Sequence, residues 1–168
     1  EPDVFYPSGQ RTYARVIPTD DVQGKVAAKW AKGLAVSSVY ILDDGQPYGK
    51  SVAAAFYAEA KALGINTLGQ QSVDPKATNF TVLMTKLAAI NDSSPPDLIY
   101  ASLTDAGRAA LILKYKIEYM GKISTVKWMG PETLKDQAFI DAAGASRAEG
   151  AYATFNQLLN SELPPDGQ

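Results

Sequence analysis

Short apolar runs and four-residue apolar stripes take turns along this chain from Thr19 to Phe155. That switching between periods restricts the possible folds more than any other feature of the sequence. Val22, Val26, Trp30 and Leu34 recur every four residues behind the capping candidates Thr19 and Asp20, which predicts a helix. Ser37 to Leu42 is a strand-length run ended by Asp43-Asp44-Gly45. A helix follows from Gly49 to Leu63 on the stripe Val52, Phe56 and Leu63, with Gly64 as its stop. The unit then repeats: Ile65 to Val73 reads as a weaker strand, and Asp74-Pro75 as a break. Phe80, Leu83, Met84, Leu87 and Ile90 form the next helical stripe. After the loop Ser93-Ser94-Pro95-Pro96 come a strand from Asp97 to Leu103 and a helix from Ala106 to Met120, apolar around most of its girth. A strand from Ile123 to Met129, a helix from Thr133 to Ala143 and a strand from Ala151 to Phe155 close the series.

Strands alternating with helices of this length build βαβ units and a parallel sheet covered on both faces. The expected fold is α/β: a single open, mostly parallel five-stranded sheet with helices on both faces. It is flavodoxin-like, with right-handed crossovers and strand order 2-1-3-4-5. The 168 residues suffice for one such domain with a real core. Residues 1–18 read as a lead-in connector, 19–155 as the α/β lobe and 156–168 as a tail. In that tail Leu163-Pro164-Pro165 cannot continue a central strand.

Missing residue types narrow the chemistry. The chain holds neither Cys nor His. Thiol nucleophiles, disulfides, zinc sites of the usual ligand types and imidazole bases are therefore excluded, and no cofactor or metal is expected. The formal net charge is −2 and the basic residues are scattered singly, which is no footprint for nucleic acid. No apolar stretch reaches the roughly 18–20 residues of a membrane span, and Glu1-Pro2-Asp3 does not resemble the start of a signal peptide.

Ligands of open parallel sheets sit outside the carboxyl ends of the strands. Three turns qualify: Asp43 to Gly49, Leu103 to Asp105, and Gly130-Pro131-Glu132. Within them Tyr48 offers a ring face and a hydroxyl, Thr104 a hydroxyl, and Glu132 a carboxylate suited to an ammonium. Each also has a structural reading. Tyr48 can be turn packing, Thr104 an N-cap, and Glu132 a first-turn carboxylate favoured by the helix dipole.

Two catalytic motifs come close and fail. Gly45-Gln46-Pro47-Tyr48-Gly49-Lys50-Ser51 has three residues between its glycines where a phosphate-binding loop has four, and Pro47 has no N–H to offer. Asp43-Asp44 suggests the acidic pocket of a phosphoacceptor domain. Asp105, however, lies beyond the third strand, and Asn156-Gln157 stands where a lysine would follow the fifth. No reaction is singled out, and an enzyme is not expected.

Arg15-Val16-Ile17-Pro18-Thr19-Asp20 with Gln23-Gly24 resembles the start of the second lobe in leucine/isoleucine/valine-type periplasmic binding proteins. These are the extracellular receptors of ABC transporters. The likeness continues through Asp43-Asp44, Tyr48-Gly49, Phe56, Asn79-Phe80-Thr81, Pro96 to Tyr100, Met129 to Glu132, Ala143-Gly144 and Glu149-Gly150, in order and spacing. It departs at Asn79-Phe80-Thr81, for the family's Asp-Phe-Ser, at Thr133, where Gly is frequent, and at Gln46-Pro47. The resemblance implies one of two α/β lobes joined by a hinge, with Arg11–Val16 and the tail as its crossings. Tyr48, Leu103-Thr104 and Glu132 would be cleft residues, and Glu132 would partner a ligand amino group. The implied solute is an amino acid, amide or aromatic acid. The implied partners are the first lobe of the same chain and an ABC permease. The location implied is periplasmic or extracellular, with lipid anchoring of the full-length protein as an option. A sensing domain of a signalling receptor is the runner-up, and a phosphoacceptor or other small α/β enzyme the alternative of another class.

Overall fold

A computed structural model describes residues 17–90, 95–119 and 125–156. The expected hinge segment Arg11–Val16, the residues Ser93, Ser94, Met120 and Ile123, and the tail from Gln157 lie outside them. The chain runs α1 (Asp20–Gly33), β1 (Ser38–Asp43), α2 (Pro47–Ala62), β2 (Asn66–Ser72), α3 (Thr81–Ala89) and β3 (Leu98–Ser102). It continues through α4 (Ala106–Tyr119), β4 (Lys127–Gly130), a 3₁₀ turn (Glu132–Lys135), α5 (Gln137–Ala143), α6 (Ala145–Ala148) and β5 (Ala151–Ala153). The five strands form one sheet in the order β2-β1-β3-β4-β5. Every pairing is parallel, so each strand ends at the same edge.

Alternation along the strands sorts the core into two layers. Tyr40, Leu42, Ile99, Ala101 and Trp128 face α3, α4 and α5, where Leu83, Met84, Leu87, Ile112, Leu113 and Phe139 are buried. Val39, Ile41, Leu98, Tyr100 and Met129 face α1 and α2. There Phe56 stacks on Tyr100 with centroids 3.8 Å apart and planes 9° from parallel. Such a pair contributes about 0.5–1.5 kcal/mol beyond its buried area.

α1 forms where its periodicity predicts, but the Val22-Val26-Trp30 stripe faces outward, at 41%, 51% and 40% exposure. The buried face is Gln23, Gly24, Ala27, Ala28 and Ala31. The cause is close helix packing. A Cβ added at Gly24 would lie 2.5 Å from the Val52 carbonyl oxygen and 2.7 Å from the Ala55 Cβ, so only small residues fit between α1 and α2. Trp30 instead lies edge-on to Tyr152 of β5, with centroids 5.3 Å apart.

The predicted Thr133–Ala143 helix is two pieces. Asp136 takes an extended conformation (φ −64°, ψ 136°) and its carboxylate accepts the Ala138 N–H, ending the 3₁₀ turn and capping α5. α2 begins two residues before Gly49, because Pro47 suits the first turn of a helix, where its missing N–H costs nothing. Thr19 sits at the N-cap of α1, yet its hydroxyl donates to the Asp21 carboxylate rather than accepting from backbone.

Candidate functional site

The turns after β1, β3, β4 and β5 meet at the carboxyl edge of the sheet, and buried aspartates set their shapes. Asp43 Oδ1 accepts from the Gly45 N–H at 2.8 Å and from the Ser72 hydroxyl at 2.7 Å, tying the β1 turn to β2. Asp44, 3% exposed, accepts the Gln46 N–H at 3.1 Å on one oxygen. Its other oxygen accepts the Thr104 N–H at 2.8 Å together with the Thr104 hydroxyl. Both carboxylates are thus committed to holding loops. The N-cap of α4 is Asp105, which accepts the Arg108 N–H at 2.6 Å, and not Thr104.

Leu103 is 1% exposed and lies in the core. What it presents at the edge is backbone, and its carbonyl accepts the Thr133 hydroxyl at 2.7 Å. That bond pins the turn after β4 to the end of β3. The same turn requires Gly130, where an added Cβ would meet the Ala101 carbonyl oxygen at 2.6 Å and Leu134 Cδ1 at 2.9 Å.

Tyr48 and Glu132, 84 residues apart, converge here. The Tyr48 hydroxyl stands 2.8 Å from both Glu132 carboxylate oxygens. Burial first, then the hydrogen bond and charge of Glu132, push the Tyr48 phenol well above its usual range, so it stays a donor. Beneath them Tyr100 is fully buried. Burial, followed by the charges of Tyr48 and Glu132, pushes its phenol up as well.

Gln23, buried in α1, completes the arrangement. Its Nε2 donates to Glu132 Oε2 at 2.5 Å and to the Thr154 carbonyl at 3.1 Å. Its Oε1 accepts from Asn156 Nδ2 at 3.3 Å and lies 3.0 Å from the Tyr48 hydroxyl. Beside the pair lies an open hollow of about 440 Å³ lined by Thr104, Glu132, Thr133, Lys135 and Asp136. The Lys135 ammonium sits 4.1 Å above the Phe155 ring. The arrangement offers two exposed carboxylates, Glu132 held by Tyr48 and Gln23 and Asp136 held by the Ala138 N–H, with one cation and two threonine hydroxyls and no imidazole or thiol to carry a reaction. Among the described residues no cluster of acidic groups could hold a metal ion.

Tyr48, Thr104 and Glu132 are therefore brought to one edge, as their turns predict. Gln23, Lys135 and Asp136 also lie at this candidate site, and sequence reasoning misses them. Gln23 stands inside a helix, where a polar residue reads as solvated surface.

The profile of the periplasmic binding protein family matches residues 7–166. The chain belongs to that family. A Leu/Ile/Val-binding protein from Rhizobium johnstonii is 32% identical over 172 residues, an alignment covering 94% of this periplasmic binding protein chain and 45% of the relative. A Leu/Ile/Val-binding protein homologue from Brucella melitensis is 26% identical with the same coverage. The chain thus spans about half the length of the curated relatives it matches. Among solved structures, a Rhodospirillum rubrum protein provisionally described as a branched-chain amino acid ABC transporter superposes with TM-score 0.75 at 24% identity. It is covered over 40% of its length by 90% of this chain. A Rhodopseudomonas palustris solute-binding protein in complex with 4-hydroxybenzoate gives TM-score 0.60 at 22% identity, with 68% of this chain on 30% of that one. These superpositions share the fold: one parallel sheet with helices on both faces.

Proposed function

We propose that this chain is one lobe of a solute-binding receptor for an ABC importer, closing over a small solute whose amino group meets Glu132. The carrying observation is the Glu132 carboxylate, which is exposed and, among the described residues, takes its hydrogen bonds from the neutral groups of Tyr48 and Gln23. Among the described residues no cation pairs with that carboxylate, so it is available to a ligand ammonium, and a charge-assisted hydrogen bond is about twice as strong as a neutral one. The names of the Leu/Ile/Val-binding relatives agree with an amino-acid solute. Leu103 and Thr104 complete the proposed contacts, through backbone and side chain respectively. Residues 19–155 make the lobe, and the segments on either side connect it to the rest of a longer receptor. In support, the start of α1 and the end of β5 lie together, joined by Gln23 and Asn156. Membership of the periplasmic binding protein family supports a receptor in the periplasm or outside the cell; an ABC permease is its proposed partner, and the lobe is proposed to carry no catalysis.

Lys135 favours a second reading, a carboxylate-bearing aromatic solute, because it lines the same hollow. A benzoate complex in the same fold is consistent with it. Calorimetry on the full-length receptor with L-leucine, acetamide and 4-hydroxybenzoate separates the two. Glu132→Ala should weaken L-leucine more than tenfold, about 1.4 kcal/mol or more, and leave 4-hydroxybenzoate unchanged. If Lys135→Ala instead abolishes 4-hydroxybenzoate binding while L-leucine never binds, the amino-acid reading is lost. A receptor binding none of the three would reopen the function.

A further inference from the structure

Gln23 holds more of this edge together than a helix residue needs to. Its amide has two N–H donors and one oxygen, and all three positions are taken by groups from other parts of the chain. The N–H groups point at two acceptors, Glu132 Oε2 after β4 and the Thr154 carbonyl after β5. The oxygen faces the Asn156 side-chain amide and the Tyr48 hydroxyl. This pattern fixes the orientation of the amide. Flipping it would set an oxygen against the Glu132 carboxylate and the Thr154 carbonyl, and its N–H groups against the Asn156 amide.

We infer that Gln23 is a positioning residue that couples the Tyr48–Glu132 pair to the stretch Thr154–Asn156 leaving β5, so that a change at the carboxylate is felt where the chain exits. Glu132 and Asn156 share no direct bond. Their connection runs through the Gln23 amide, which is buried and cannot exchange its partners for water at no cost. The Gly24 contact adds to the constraint. With α1 pressed against the backbone of α2 at that neighbouring residue, Gln23 has little room to slide and follow one partner away from the other. The inference deepens the solute-binding reading by naming the residue that ties its proposed site to the outgoing segment. Its test needs no ligand, so it can fail while that reading stands, or the reverse.

The full-length receptor would be labelled with ¹⁵N-asparagine, and the Asn156 side-chain amide assigned by its loss in Asn156→Asp. Glu132→Gln should shift that amide beyond its line width in the wild-type background. In the Gln23→Leu background the same substitution should leave it where it is. In a second sample labelled with ¹⁵N-tryptophan, the Trp128 indole resonance, on the opposite face of the sheet, reports whether Gln23→Leu has unfolded the lobe. Should it have done so, Gln23→Met, which keeps the length and loses both the amide oxygen and the N–H donors, replaces it with the same expectation. An Asn156 amide indifferent to Glu132→Gln would overturn the coupling. So would a shift of equal size with and without the Gln23 amide, because the connection would then not pass through that residue.

Discussion

Asp44 illustrates how a buried carboxylate shapes a candidate site from beneath. Its oxygens take the Gln46 N–H, the Thr104 N–H and the Thr104 hydroxyl, and thereby join the turn after β1 to the turn after β3. Asp44→Ala removes the buried carboxylate to which both N–H groups and the hydroxyl donate, and a hydrogen bond to a charged group contributes about 1.5–3 kcal/mol. Urea unfolding should show a loss in that range, without the change in m-value that a change in compactness would bring. The proposed site residues legible in the sequence are those whose position follows from a rule about turns: Tyr48, Thr104 and Glu132 stand where parallel strands end. Gln23 follows from no such rule. Its role depends on Thr154 and Asn156, more than 130 residues away, and local periodicity carries nothing over such distances. Leu103 is instructive in the other sense. Side chains alternate across a strand, so neighbours in sequence look in opposite directions, and here Leu103 goes to the core while Thr104 stays exposed.

At the scale of elements, α1 pits helix propensity against packing. Replacing Gly24 by Ala gains about 1 kcal/mol of intrinsic helix preference. The added methyl would lie 2.5 Å from the Val52 carbonyl oxygen, a backbone atom that cannot swing aside, and overpacking of this kind costs about 1–3 kcal/mol. Packing should win: Gly24→Ala is expected to lower the free energy of unfolding, measured in denaturant, where an exposed helical glycine would raise it. At the amino edge of the sheet, Asp97 clamps β3 to β1 by accepting the Ser37 N–H at 2.8 Å, the Ser37 hydroxyl at 2.6 Å and the Ser38 N–H at 2.9 Å. Partial burial works to raise its pKa, but these hydrogen bonds outweigh burial and hold it below the ordinary 3.8. A depressed carboxylate stabilises the fold above its unfolded-state pKa and loses that contribution as pH falls through the folded one. Asp97→Asn should therefore melt earlier than the wild type at neutral pH, and the gap should close below about pH 4. The strands were the most legible elements because a central parallel strand is apolar on both faces. β2 read weakly for the same reason: it is an edge strand, and every residue in it is partly or wholly exposed. The stripe of α1 reveals a helix but not its buried face, because sequence periodicity does not say which of two faces a neighbour can accommodate.

Carboxylates tie the molecule together at both edges of its sheet. Asp97 does so where strands begin, while Asp43 and Asp44 do so where strands end, beneath the groups proposed to meet a solute. A hollow this open covers a small ligand on one side only, while binding sites enclose most of the ligand surface. The 168-residue chain alone should therefore show no thermal shift with a solute that stabilises the full-length receptor by several degrees, since stabilisation follows RT ln(1 + [L]/Kd) and Kd for half a cleft is high. A shift of equal size in both would mean that the site is complete within this chain. The meeting of α1 with the end of β5 at the Gln23 and Asn156 side chains has an engineering consequence. A module whose two strands of traffic emerge side by side can be spliced into a surface loop of an unrelated host without prising that loop apart. An enzyme or fluorescent protein carrying this lobe as such an insert would inherit, at the splice, whatever movement the lobe makes.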